Sequence, residues 1–174
     1  TGGRQGLAEA QRFPDDYDGI IAGDPANPKT YLNAWALNIA QIALKDPASY
    51  IQPSKYPIIH KAVINACDTI DGLKDGLIEN PMQCHFDPKV LECKDDDQAS
   101  CLTAKQVEVA RLMTAPAKTK AGREIFPGYD PGNELGWNIR IGGPEPPDTA
   151  VDQYKYIVHK DPKWDLLSEL EAKT

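Results

Sequence analysis

Three aspartates and two glycines recur on a short period in Cys67-Asp68-Thr69-Ile70-Asp71-Gly72-Leu73-Lys74-Asp75-Gly76-Leu77. Asp71-Gly72 returns as Asp75-Gly76, and glycine permits the backbone angles that a tight, ion-wrapping loop needs. Carboxylates at 68, 71 and 75 repel one another unless a cation sits among them. A hard cation such as calcium takes about six to eight oxygens, backbone carbonyls included. With the aspartates turned inward, the carbonyls of Leu73 and Leu77 fall at alternate positions and complete such a shell. The expected site is a hard-cation centre made from Asp68, Asp71, Leu73, Asp75 and Leu77. It is not an EF-hand, which requires Asp-x-Asp-x-Asp-Gly and a glutamate at the loop's end. Two ordinary Asp-Gly turns on a solvated loop are the alternative.

Four cysteines, Cys67, Cys84, Cys93 and Cys101, crowd around this acidic stretch. Without a Cys-x-x-Cys pair, a tetrahedral zinc site is poorly supported. Two disulfides have three possible connectivities, and four reduced thiols in a cytosolic protein are the other reading. Sequential pairing, Cys67 with Cys84 and Cys93 with Cys101, is favoured because each bridge closes a short loop. In the chain-entropy view such a bridge contributes on the order of 3 kcal/mol. A Cys67–Cys84 bridge encloses the whole acidic doublet.

Other chemistry-bearing residues are scattered. His60, His85 and His159 have no acid or nucleophile at a recognisable spacing, and His60 reads as a structural residue on a helix face. Ser54, Ser100 and Ser168 lack the Gly-x-Ser-x-Gly frame that exposes a nucleophile, and Ser49 reads as a loop residue. Trp137 follows Gly136 in a stretch rich in Gly and Pro; it can face a substrate's aromatic ring, with core packing the favoured alternative. Lys94-Asp95-Asp96-Asp97 reads as a solvated loop, with a second, weak cation site as the minor alternative.

The elements that must position these residues follow from pattern. The 174 residues suit one domain, and the hydrophobic (41%) and charged (26%) fractions are ordinary globular values. A net charge of −7 argues against nucleic acid as a partner, and no apolar run approaches the ~18 residues of a membrane span. Residues 3–13 read as a helix stopped by Pro14, and 18–23, apolar between glycines, as a buried strand. Helix followed by buried strand is an α/β pattern. The clearest helix spans about 30–45, with Leu32, Trp35, Ile39, Ile42 and Ala43 on one stripe and Asp46-Pro47 as its stop. Further helices are expected at 57–66 and at 103–114, the latter opened by a Thr103/Gln106 capping box. Residues 116–148 should form turns and short extended pieces. Tyr154–Val158 reads as a strand or a helix start, and Asp161-Pro162 as the opening of a last helix carrying Trp164, Leu167 and Leu170.

Two stretches resemble one family. Thr1-Gly2-Gly3-Arg4-Gln5-Gly6-Leu7 with Ala10-Gln11-Arg12-Phe13-Pro14 and Tyr17-Asp18-Gly19-Ile20 is similar to the segment after the nucleophile in tannases and feruloyl esterases. There the elbow reads Gly-Cys-Ser-x-Gly-Gly, and Thr1 falls on the x. Cys67-Asp68-x-x-Asp71-Gly72-x-x-Asp75-Gly76, then Cys84 and Phe86-Asp87-Pro88, resembles the calcium loop of the same family's lid. Phe126-Pro127-Gly128 and Pro131-Gly132-Asn133-Glu134 are weaker likenesses to lid segments.

The resemblance implies a secreted (extracellular or periplasmic) serine esterase with an α/β-hydrolase core, an inserted lid, a Ca2+ cofactor and a small aromatic ester as substrate. It implies the same two disulfides and the same five calcium ligands. On this reading the nucleophile precedes Thr1, whose backbone N–H would serve the oxyanion, and the acid and histidine lie beyond Thr174. The expected fold class is an α/β-hydrolase piece, post-nucleophile helix plus one core strand, over 1–28. A mixed, mainly helical, loop-rich lid would follow over 29–160, with a return to the core over 161–174. The chain is thus expected to be a fragment without catalytic residues of its own. A non-catalytic extracellular calcium-binding module is the rival reading.

Overall fold

A computed structural model describes residues 2–138 and 146–166. The architecture is mostly helical, with one two-stranded antiparallel sheet. In chain order the main elements are α1 (Gly2–Arg12), α2 (Lys29–Lys45), α3 (Tyr56–Cys67), α4 (Ala104–Thr114), β1 (Ala117–Lys118), β2 (Glu124–Phe126) and a short α5 (Asp148–Asp152). Single turns of 3-10 helix join them, most opened by proline, which pre-sets the backbone for a first turn. Among the described residues no helix is long and apolar enough to cross a membrane.

Sequence pattern dictates α2 to α4. Buried positions on α3 fall at Tyr56, Ile59, Val63 and Cys67, one helical stripe, and Pro57 occupies its first turn. The capping box of α4 is present: Gln106 N–H donates to Thr103 Oγ1 (3.2 Å) and Thr103 N–H to Gln106 Oε1 (3.1 Å). Helix α2 buries two faces rather than one. Trp35, Ile39 and Ala43 enter the main core with α3 and α4, while Leu37 and Ala40 meet Ala150 and Leu166 in a second cluster. Ile42, expected on the buried stripe, is consequently partly exposed.

One expectation is corrected, and two others gain detail. Residues 18–23 form no strand; Ile21 is fully exposed, and the segment runs irregularly with Ile20 and Ala22 near Gly6 of α1. A strand exists only through ladder partners, and none of the described residues pairs with this segment. Tyr154–Val158 belongs to a π-helix, Gln153–Val158, that continues α5, with His159 N–H donating to Tyr154 O at 2.8 Å. Residues 94–97 are exposed, as expected of a solvated loop, and the Asp97 carboxylate also pairs with Lys55, a buried lysine whose Nζ donates to Gln106 Oε1 (2.9 Å). The last expected helix lies mainly outside the described residues, although Asp161 caps the turn there, accepting from Lys163 N–H at 2.8 Å.

The hairpin β1–β2 is fixed from both sides. Trp35, 1% exposed, meets Phe126 (ring centroids 4.5 Å apart) and Tyr129 edge-on (4.8 Å). Behind the hairpin, Gly128 (φ +90°) passes so close to the end of α4 that a Cβ would lie 2.7 Å from Thr114 O. Only glycine fits both the angle and the gap. Phe86-Asp87-Pro88 is fastened to α4 by a fork: Arg111 Nε and Nη2 donate to the two carboxylate oxygens of Asp87 at 3.0 and 2.9 Å.

These contacts set a pH window. The Arg111 fork holds the Asp87 carboxyl below the ordinary value of 3.8, and Lys105 with the Ala48 N–H does the same for Asp46. Burial pushes the Tyr56 hydroxyl from 10.0 up to about 12. The depressed carboxylates stabilise the fold above pH ~3.8, and that contribution is lost as pH falls through their lower folded values. Tyr56 has the opposite sign: its contribution is whole below pH 10.0 and lost as pH rises towards about 12. Two units correspond to at most about 2–3 kcal/mol. Tyr56→Phe should therefore flatten the fall in melting temperature between those two pH values; a fall identical to wild type would assign the alkaline transition elsewhere.

Candidate functional site

The acidic loop emerges directly from the C-terminus of α3. Asp68, 5% exposed, still has helical angles, and its Oδ1 accepts from the N–H groups of Asp75 (3.1 Å) and Gly76 (2.8 Å). One buried carboxylate thus closes the loop over the doublet. Asp71 Oδ1 accepts from Leu73 N–H (2.8 Å) and Asp75 Oδ1 from Leu77 N–H (3.1 Å), so each Asp-Gly repeat forms the same turn. Gly72 (φ +92°) and Gly76 (φ +81°) follow the second and third aspartates. A Cβ at either would touch nothing within 4 Å, so it is the left-handed angle that calls for glycine there.

The five residues expected around an ion are therefore gathered on one loop, and the Leu73 and Leu77 amides face aspartate side chains. Their donors are hard oxygens, which suit calcium or magnesium and not a soft transition metal. Among the described residues, no three His, Cys, Asp or Glu side chains converge as a cluster arranged to hold an ion. In each aspartate the hydrogen bonds to the loop amides fall on Oδ1, and a carboxylate offers a second oxygen for further contacts.

The loop is stapled at its base. Cys67 is joined to Cys84 (Cα–Cα 5.4 Å) and Cys93 to Cys101 (5.1 Å), and the chain holds no free cysteine. The second bridge closes the Asp95-Asp96-Asp97 turn that Lys55 draws inward. Leu102, fully buried beside it, binds back through Leu102 N–H to Leu91 O and Cys93 N–H to Leu102 O, both 2.8 Å.

Trp137 is 2% exposed and stands edge-on to Tyr56 with centroids 5.9 Å apart, a core residue that also lines a cleft. Thr1 lies outside the described residues. Ser49, Ser54 and Ser100 occupy single 3-10 turns or a disulfide loop, none of them a strand-to-helix elbow; Ser168 is outside the described residues. Sequence spacing missed one pair. His60 Nδ1 lies 2.9 Å from Glu134 Oε2, and the other oxygen of this buried glutamate accepts from Gly132 N–H (2.8 Å). Seventy-four positions separate the partners, and no local pattern signals such a contact.

The sequence model described as "Tannase and feruloyl esterase" matches residues 1–160. Probable feruloyl esterase B-2 of Aspergillus flavus is 38% identical over 166 residues, spanning 94% of this chain and 32% of that protein. The crystal structure of feruloyl esterase B from Aspergillus oryzae superposes with a TM-score of 0.88 at 31% identity, over 97% of this chain and 34% of that one. Tannin acyl hydrolase from Aspergillus niger shares the fold, with a TM-score of 0.73 at 24% identity over 92% and 32% of the two chains. The chain spans about a third of the length of these relatives. With the match extending over 160 of its 174 residues, this chain belongs to the tannase and feruloyl esterase family.

Proposed function

We propose that these residues supply the calcium-stabilised lid, together with the helix that follows the nucleophile, of a secreted serine carboxylesterase acting on aromatic esters. Family membership carries the reading, and relatives named feruloyl esterases across the same span support the ester as substrate. The whole enzyme would work by acyl transfer: serine attacks the ester carbonyl, histidine takes and returns the proton, and backbone N–H groups hold the oxyanion. Residues 1–28 would belong to the α/β-hydrolase core, 29–160 to the lid and 161–174 to the return. Within the acidic loop, Asp68, Asp71 and Asp75 with the carbonyls of Leu73 and Leu77 would hold the ion. Bound calcium would supply the charge that lets three carboxylates share one loop.

Four measurements test this. The coding sequence should place Gly-Cys-Ser immediately before Thr1, and a serine-directed phosphonate should label that serine in the protein that contains it and stop hydrolysis of methyl ferulate. The 174-residue chain alone should not turn over methyl ferulate or methyl gallate above a heat-killed control. The same chain should melt higher in calcium than in excess chelator, and Asp71→Ala should erase the difference. Equal melting temperatures would remove the metal from the reading; no labelled serine would leave the calcium-binding module in its place.

A further inference from the structure

Charge is unevenly spread along the chain. Although 26 of its residues are acidic, residues 109–123 contain neither aspartate nor glutamate. This stretch ends in the β1–β2 hairpin, whose tip carries Lys118, Lys120 and Arg123, all exposed. Lys55, Lys105 and Arg111 each meet a carboxylate, whereas none of these three has an ion-pair partner among the described residues. The register sets Glu124 opposite Lys118. Residues 117–124 thus carry three positive charges against one negative, a net +2 on a protein of net −7. A local field of that sign attracts anions that the rest of the surface repels.

The backbone of the tip is fixed. Lys120 and Ala121 are the central residues of a β-turn closed by Gly122 N–H on Thr119 O (2.8 Å), with Gly122 at φ +83°. Thr119 N–H donates to Arg123 O (2.8 Å), and Arg123 N–H to Thr119 Oγ1 (3.1 Å). At the other end of the hairpin, Phe126 is held on Trp35. The turn is therefore ordered before an anion arrives, which lowers the entropy cost of binding.

The side chains select the partner. The planar fork of Arg123 matches a carboxylate, and the two lysines add point charges beside it. Between Lys118 and Arg123 the largest apolar side chain is that of Ala121, so the tip lacks the apolar centre on which a protein partner would dock. Duplex DNA is a stiff rod with one charge per ~1.7 Å, and its remaining phosphates would face an acidic protein surface. A flexible chain of carboxylate-bearing sugar rings avoids both difficulties. A few of its carboxylates meet the tip while its hydroxyls stay in water.

We propose that the β1–β2 tip is a docking point for an acidic polysaccharide, held through its ring carboxylates by Lys118, Lys120 and Arg123. Exposed charge pairs contribute little singly, so the contact is weak and salt-sensitive. It does not rest on the esterase reading, because no bond of the polymer is broken.

The test is fluorescence anisotropy of labelled oligogalacturonate titrated with the full 174-residue chain. Binding should saturate at ~50 mM salt, fall steeply by ~200 mM, and vanish when the carboxylates are methyl-esterified. Lys118→Gln/Lys120→Gln/Arg123→Gln should weaken it about tenfold, from roughly twofold per lost pair. Three exposed lysines on α2, α3 and the Cys93–Cys101 loop supply the control. Lys45→Gln/Lys61→Gln/Lys94→Gln removes three positive charges as well, from −7 to −10, and should weaken binding less than about twofold. Lys118→Arg/Lys120→Arg, which keeps the charge, should bind as wild type does. Near-UV circular dichroism checks that each variant is folded. The proposal is overturned by absence of binding at low salt, by binding that survives esterification, or by equal losses in the two triple variants. Tighter binding of poly-L-glutamate or duplex DNA of matched charge would overturn it too.

Discussion

Trp35→Ala should destabilise the protein by about 3–5 kcal/mol, the range for removing a fully buried large aromatic side chain. Trp35 is 1% exposed and lies where α2, the hairpin and the turn after it converge, in contact with Phe126 and Tyr129. The two ring contacts add about 0.5–1.5 kcal/mol each beyond burial. The hairpin has few resources of its own: β1 has two residues, β2 three, and the register between them is irregular. A two-stranded ribbon of that size is not stable without a packed face. The loss should therefore be local as well as global. Amide exchange at Glu124–Phe126 should accelerate more than exchange in α4, because α4 keeps its capping box and its own core face. Urea unfolding followed by circular dichroism measures the first effect and hydrogen exchange the second. A loss under about 1 kcal/mol would mean that the hairpin is held by something other than Trp35.

Replacing Cys67 and Cys84 together by serine should cost about 3 kcal/mol, from the denatured-state freedom of a loop with a sequence separation of 17. Cys93–Cys101, with a separation of 8, closes the shorter loop, and its removal should cost less. The difference should be visible as a larger drop in melting temperature for the first pair. Both cysteines of the first bridge are buried in the main core, so the serines add a desolvation cost. The acidic loop sits inside this ring, and its closure by Asp68 depends on α3 ending where it does. Limited proteolysis should consequently cut the Cys67/Cys84 variant within 68–83 before wild type is cut anywhere in that segment. Equal melting temperatures for the two bridge variants would show that loop length does not set what each bridge contributes.

What the sequence determined by itself is what short-range rules govern. Helices α2, α3 and α4 appear within a residue or two of their expected bounds, because apolar spacing, Pro57, Asp46-Pro47 and the Thr103/Gln106 box act over one or two turns. The two bridges follow the sequential pairing, since each joins cysteines already close along the chain. The Asp-Gly doublet likewise encodes its own turns, with each aspartate accepting from an amide two residues on. Tertiary structure decided the rest. An apolar run at 18–23 cannot be a strand without neighbours to pair with, and the described chain gives it none. Ile42 loses its place in the core because α2 is buried on two faces, a division set by which elements come back to meet it. Lys55 finds Asp97 and His60 finds Glu134 across 42 and 74 positions, and no spacing marks such partners in advance. The cleft beside Glu134 is of the same kind, since its walls come from segments that touch only after the helices have packed.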